Sequence, residues 1–175
     1  MRNAVMILLA AAIPAGAQQQ QSAVTNPAVN AAKGNWMQVQ DYLVRSAEQM
    51  PESLYSFKPT PSVRSFGQII GHVAGSQFMF CAAILGEKTR AEDEFEKGTM
   101  TKTELVKAIK ESGAYCDRAY SLGDADGNAK VALFGTTASK LSWLISNAGH
   151  DMEHYGNLVT YFRISGMTPP SSQGQ

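Results

Sequence analysis

The sequence predicts an all-α fold, a four-helix bundle with a short irregular or strand-like segment before its last helix. Apolar residues recur at spacings of three and four along four long segments, the pattern of helices that bury one face. Two of these segments start with a serine or threonine followed three residues later by glutamine or glutamate. Four long helices with looser connections between them favour a bundle.

The first two helices have clear boundaries. The first is predicted from about Val29 to just before Pro51, and a proline-rich extended connection follows it. Ser65 and Gln68 form a predicted capping box at the start of the second helix. Gly86 is expected to end that helix, because glycine readily adopts the left-handed conformation found after helix C-termini.

The second half of the chain predicts two more helices. Thr101 and Glu104 indicate a capping box for the third helix, and the segment "GDADGN" ends it. That segment resembles a calcium loop, but the glycine and glutamate required at its sixth and twelfth positions are missing, so a turn is predicted. "KVALFGTTASK" follows as a connection of weak strand character, and the fourth helix is expected from about Thr137 to Gly166.

Residues 1–17 have the pattern of a cleaved secretory signal peptide. Arg2 precedes an apolar run of about ten residues, too short to span a bilayer as a helix. Small residues then form a signal-peptidase site, which places cleavage near Ala17/Gln18 and the mature protein in the periplasm or outside the cell. The competing interpretation is a retained amphipathic or lipid-anchored N-terminus, but no cysteine follows the small residues to carry a lipid.

The remainder of the chain is predicted to form one domain. Residues 18–28 are a polar, low-complexity lead-in that is predicted to be disordered. Residues 29–170 form the predicted bundle and residues 171–175 a short tail. The formal net charge is zero, with lysines interleaved among acidic residues, which argues against a nucleic-acid surface. No second apolar stretch is expected to cross a membrane.

The chain has two cysteines, Cys81 and Cys116. In an exported protein they can form one disulfide, but the sequence does not fix the distance between them, so the free and bridged states both remain open. A bridge would be structural because the C-x-x-C spacing of redox sites is absent. As a free residue, Cys81 is expected to be a small buried hydrophobe, since it lies on the helix face opposite His72.

The three histidines of the chain predict a metal site. His150 and His154 are four residues apart, so both imidazoles lie on one helix face and can reach one ion at about 2.1 Å. Aromatic residues at both ends of that face, Trp143 and Tyr161, indicate that it is buried. His72, with small neighbours on the second helix, is expected to complete a site for zinc, nickel, iron or manganese. The alternative is one hydrogen-bonded core histidine and two surface histidines.

The segment "HDMEH" also matches H-x-x-E-H, the inverted zinc-protease signature, with Glu153 as the base. Those enzymes need a downstream carboxylate ligand, and no Asp or Glu follows His154, so proteolysis is not expected. Asp151 and Glu153 lie on opposite flanks of the histidine direction and are candidate proton carriers rather than ligands. Three polar side chains are candidates for orienting a bound ligand or cofactor: Asn157, Ser76 and Asn147.

Two stretches resemble the DinB-like (DinB/YfiT) superfamily: "KPTPSVRSFGQIIGHV" and "FGTTASKLSWLISNAGHDMEHYGNLVTYFRISGMTPP". The resemblance extends from about residue 30 to 170, and its C-terminal motif is H-x-x-x-H-x-G followed by an aromatic–arginine pair and G-x-x-P-P. It implies a four-helix bundle in which His72, His150 and His154 bind a divalent metal, and it implies homodimers. Relatives include transferases and isomerases that activate a low-molecular-weight thiol.

Two features depart from that family. Asn157 stands where glutamine is common, and the predicted export separates the chain from the reduced thiol pool of the cytoplasm. The sequence therefore predicts a metal-dependent hydrolase or transferase acting on an unknown small molecule. The alternative is a non-catalytic, stress-related bundle that binds a metal or another ligand, and a bundle with three hydrogen-bonded histidines and no metal is a third possibility.

We expect the mature protein, recovered from the periplasmic fraction or the medium, to begin near Gln18, because signal peptidase cleaves after the small-x-small pattern. N-terminal sequencing measures this directly. An intact Met1 in that fraction would contradict the signal peptide.

Overall fold

The structure is a computed structural model that describes residues 25–174, so the predicted signal peptide and most of the lead-in lie outside the described residues. The predicted helical fold is confirmed, with a two-stranded hairpin before the last long helix. The elements in chain order are α1 (Pro27–Gln49), α2 (Phe66–Leu85), α3 (Lys102–Ala119), α4 (Asp124–Gly127), β1 (Lys130–Leu133), β2 (Thr136–Ser139) and α5 (Lys140–Ile164), with 3-10 turns at Glu52–Leu54 and Pro170–Ser172.

Helix α1 begins at Pro27, inside the segment predicted to be disordered. Its cap comes from far along the chain, because the Asp124 carboxylate accepts hydrogen bonds from the backbone N–H groups of Ala28 at 3.1 Å and Val29 at 2.9 Å. The "GDADGN" segment, predicted as a turn, contains the one-turn helix α4, which starts at this Asp124. A carboxylate at a helix N-terminus satisfies free N–H groups and complements the helix dipole.

Both predicted capping boxes are present. The Ser65 hydroxyl accepts from the backbone N–H of Gln68 at 3.2 Å, and the Gln68 side chain accepts from the N–H of Ser65 at 2.8 Å. Thr101 and Glu104 make the same pair of bonds at the start of α3. Gly86 ends α2 with a φ of 73°, the left-handed conformation that favours glycine.

The last helix starts later than the sequence predicted. Residues from Thr136 to Ser139 form strand β2, which pairs antiparallel with β1, so the expected helix start near Thr137 is wrong. Ser139 then caps α5 by accepting from the N–H of Ser142 at 3.0 Å. Residues 171–174, expected to be a tail, pack back on α1, where the Gln173 side chain accepts from Arg45 at 2.7 Å.

Helix α2 is the centre of the bundle and packs against α3 and α5, while α1 covers α5 and α3. Among the described residues it is the one helix long and apolar enough to cross a membrane, contrary to the expectation from sequence. In the structure, 83% of its 18-residue apolar window is buried against the other helices. Its apolar composition therefore matches its place in the core.

Cys81 and Cys116 form a disulfide, which resolves the alternative that the sequence left open. The bond joins α2 to α3, with 5.3 Å between the two Cα atoms. Both residues are fully buried beside the stacked rings of Trp36 and Tyr120, whose centroids are 4.4 Å apart.

We expect Cys116→Ser to lower the free energy of unfolding by about 3–4 kcal/mol, because the bond closes a loop between residues 35 apart in the chain. Denaturant unfolding of the oxidised wild type, the reduced wild type and the variant measures the effect. Reduction should reproduce the loss in the wild type and leave the variant unchanged. Equal stability of the oxidised and reduced wild type would contradict this role.

Candidate metal centre

The three histidine side chains meet where α2 packs against α5. Nε2 of His150 lies 3.2 Å from Nε2 of His72 and 3.1 Å from Nε2 of His154. Two imidazole nitrogens bound to one ion at about 2.1 Å, with tetrahedral or octahedral angles, lie about 3.0–3.4 Å apart. The separations therefore fit one divalent ion shared by the three rings.

Burial favours the neutral form of His72 and His154. His72 and His154 are each 7% exposed, while His150 is partly exposed. Loss of hydration, with a smaller effect of the nearby His150, lowers the pKa of His154 to about 3. Burial also lowers the pKa of His72. Neutral imidazoles keep a free lone pair, which is the form that binds a metal.

The opposite ring nitrogen of His72 faces a carboxylate. Nδ1 of His72 lies 3.2 Å from Oε2 of Glu96, and a carboxylate beside Nδ1 favours the tautomer with its proton on Nδ1 and its lone pair on Nε2. Nδ1 of His150 and Nδ1 of His154 are buried without a hydrogen-bond partner within the described chain. The Nε2 atoms of all three rings lie close together. A divalent cation placed between them would bind their lone pairs.

A second carboxylate lies near Nε2 of His72. Oε1 of Glu92 is 3.8 Å from Nε2 of His72 and accepts a hydrogen bond from the Ser76 hydroxyl at 2.9 Å. Ser76 is fully buried, and its hydrogen bond keeps the Glu92 carboxylate beside the histidines. Sequence reasoning selected Ser76 but missed Glu92 and Glu96, because both lie in the loop between α2 and α3, which has no regular spacing relative to His72.

Two glycines on α2 allow this loop to approach. A Cβ added at Gly71 would lie 2.5 Å from the carbonyl oxygen of Phe95, and one added at Gly75 would overlap the carbonyl oxygen of Glu92. Only a residue without a side chain leaves room for the loop backbone at these two positions. The G-x-x-x-G spacing beside His72 was the sequence signal that an external segment packs against this helix.

Asp151 lies behind the site and is fully buried. Its Oδ2 accepts from Gln77 at 2.8 Å, and its Oδ1 is 3.8 Å from Nδ1 of His150, beyond hydrogen-bond distance. Gln77 in turn bonds Gln40 and Ser112, which makes a polar network inside the bundle. Burial raises the pKa of Asp151 above its ordinary value.

The other predicted site residues lie in different surroundings. Glu153 is exposed on the outer face of α5. Asn147 is fully buried and donates to the hydroxyl of Tyr120 at 3.1 Å, within the core cluster around the disulfide. Asn157 is exposed and lines a groove that leads to His154.

This groove has a volume of about 670 Å³. It lies between the segment before α2 and the second half of α5, and its lining residues are Pro59, Thr60, Ser62, Val63, Arg64, Ile69, Glu96, His154, Asn157, Thr160 and Tyr161. A second cavity of about 550 Å³ shares Glu96 with it but is not lined by the histidines. The groove therefore gives a small molecule access to the histidine cluster.

The sequence profile of the DinB superfamily matches residues 35–158, a range that contains all three histidines. The chain belongs to the DinB superfamily. Among curated proteins, none gives a sequence match to it.

Solved structures of DinB-like proteins have the same fold as this DinB-superfamily chain. A DinB-like protein from Bacillus cereus superposes with a TM-score of 0.70 and 14% identity, over 81% of this chain and 95% of that one. One from Bacillus subtilis gives a TM-score of 0.62 and 21% identity, over 79% and 94%. A mycothiol-dependent maleylpyruvate isomerase gives 0.64 and 17%, over 74% of this chain but only 60% of its own.

We expect Gly75→Ala to lower the free energy of unfolding by about 1–3 kcal/mol, because the new methyl group would overlap the loop backbone at Glu92. Gly34→Ala is the matched control, since nothing lies within 4 Å of a Cβ added at Gly34 on α1. The free energy of unfolding of Gly34→Ala should rise by about 0.5–1 kcal/mol, because alanine has a higher helix propensity than glycine. Denaturant unfolding measures both, and a gain in both variants would show that the loop does not pack against Gly75.

Proposed function

We propose that this protein is an exported, metal-dependent hydrolase or transferase that acts on a small molecule. The observation that carries the proposal is the position of His154, which belongs both to the histidine cluster and to the groove. A metal that only supported the fold would be enclosed by protein ligands, whereas a catalytic ion needs an open position beside a cavity. The groove supplies such access.

His72, His150 and His154 would hold the ion through Nε2. Three imidazole ligands suit zinc, nickel, iron or manganese. When bound, the ion supplies a Lewis acid that polarises a substrate carbonyl or lowers the pKa of water.

The protein's own groups position this centre. Glu96, 3.2 Å from Nδ1 of His72, favours the tautomer with a lone pair on Nε2, while the Ser76 hydroxyl donates to Glu92 at the edge of the cluster. Glu92 therefore lies at the covered side of the cluster, 3.8 Å from Nε2 of His72, and does not line the groove. Asp151, fully buried behind His150, is suited to orienting that ring rather than to contacting a substrate.

The disulfide supports export, because such bonds form and persist in oxidising compartments. The structurally similar isomerase depends on mycothiol, a thiol cofactor. An oxidising compartment supplies little reduced thiol, so we favour water over a thiol as the co-reactant of this protein.

A second candidate function is a non-catalytic bundle that binds a metal or another ligand. One observation favours it: the loop carrying Glu92 and Glu96 covers one side of the cluster and leaves His72 only 7% exposed. The groove at His154 favours catalysis over this alternative.

We expect the mature protein, purified without a metal-binding tag, to carry about one equivalent of divalent metal per chain. His150→Ala should lose most of it, because the variant removes the nitrogen nearest to the other two. Elemental analysis after dialysis measures the stoichiometry, and chelation should lower the thermal unfolding temperature of the wild type but not that of His150→Ala.

Met152→Ala is the control for this experiment, since Met152 lies between the two histidines in sequence but is 41% exposed on the outer face of α5. It should keep the metal content of the wild type. A wild type that stays metal-free after incubation with zinc, nickel, iron and manganese would overturn the ligand assignment.

A further inference from the structure

We propose that Arg64 is the anchor for an anionic small molecule in the groove, which binds through a carboxylate or phosphate group. This inference rests on the proposed function, because it assigns a class of substrate to the same site. It places the anionic end of the substrate at Arg64 and the reacting end at the histidines.

Arg64 is the one lysine or arginine that lines the groove within residues 25–174. Its Nε donates to Oε1 of Glu96 at 2.8 Å, and the side chain is 43% exposed. The two terminal nitrogens have no hydrogen-bond partner elsewhere in the described chain. A guanidinium held at one edge keeps its remaining N–H groups for planar, two-bond recognition of a carboxylate or phosphate.

The backbone of Arg64 is also held in place. The Tyr161 hydroxyl on α5 donates to the carbonyl oxygen of Arg64, and the next residue, Ser65, is fixed by the capping box of α2. The anchor is thus tied to both helices that carry the histidines. A preorganised side chain loses little conformational entropy when a ligand binds.

Glu96 links the anchor to the histidine cluster. One of its oxygens accepts from Arg64, and the other lies 3.2 Å from Nδ1 of His72. The carboxylate offsets the charge of the guanidinium, so the groove becomes net positive only when a divalent ion occupies the histidines. We therefore expect an anionic ligand to bind more tightly to the metal-loaded protein.

The remainder of the groove indicates a short and partly polar ligand. Its lining combines polar residues, Thr60, Ser62, Asn157 and Thr160, with the apolar residues Pro59, Val63 and Ile69. The volume of about 670 Å³ suits a small molecule rather than a polymer.

Succinate, succinamide and inorganic phosphate are suitable probes, because succinamide has the shape of succinate without its charges. Isothermal titration calorimetry is carried out with zinc-loaded protein and with protein freed of metal by a chelator. We expect succinate or phosphate to bind zinc-loaded wild type at least about 10-fold more tightly than succinamide. Whichever anion binds more tightly identifies the carboxylate or the phosphate as the preferred group.

Arg64→Gln should weaken binding of that anion by about 10–100-fold, the loss expected for removing a charged hydrogen-bond partner. Arg64→Lys, which keeps the charge but loses the planar fork, should lie between this variant and the wild type. Arg118→Gln is the matched control, because it also removes an exposed arginine paired with a glutamate, at a position on α3 that does not line the groove. Zinc content is measured in every sample.

The inference is overturned if zinc-loaded Arg64→Gln binds the anion as tightly as the wild type, since the ion alone would then account for binding. It is also overturned if neither anion binds more tightly than succinamide. If the wild type takes up no zinc, the proposed function fails, and the metal-free samples then decide whether anion binding depends on Arg64. The same metal-free comparison applies if Arg64→Gln loses its zinc.

Discussion

The convergence of three imidazole rings at the contact of α2 and α5 is the constraint on which the site depends. The Nε2 atoms of His72 and His154 lie within 3.2 Å of the Nε2 of His150, in surroundings where protonation is unfavourable. Nitrogen lone pairs directed at one point repel one another unless a proton or a cation lies between them. Burial disfavours the charged, doubly protonated form of His72 and His154, and a single cation would bind the lone pairs of all three rings at once.

The loop between α2 and α3 turns this cluster into a site with distinct sides. It packs against Gly71 and Gly75, so the side chains of Glu92 and Glu96 reach His72 from outside the bundle. The buried Asp151 and Gln77 lie on the inner side, and the groove opens on the side of His154. One side is thus closed by carboxylates, one by the core, and one is open to a ligand.

Glu96 gives the two halves of the proposed site a common element. One of its oxygens lies 3.2 Å from Nδ1 of His72 and the other accepts from Arg64, so a single carboxylate connects the proposed anion anchor with the histidine cluster. The disulfide and the stacked pair Trp36–Tyr120 stabilise the opposite end of the bundle. The disulfide and the stacked rings therefore lie at one end of the bundle, and the groove lies at the other.

The sequence by itself determined the helices, both capping boxes and the histidine trio, because these depend on spacings of three and four residues or on local backbone hydrogen bonds. The sequence misplaced the start of α5, because strand β2 forms there by pairing with β1. It also predicted a plain turn at "GDADGN", where the structure has the short helix α4, whose Asp124 caps the distant helix α1. Only the tertiary structure decided the disulfide and the positions of Glu92, Glu96 and Arg64 around the histidines. The physical reason is that a loop has no periodicity, so its side chains are placed by what its backbone packs against, here two glycines of α2.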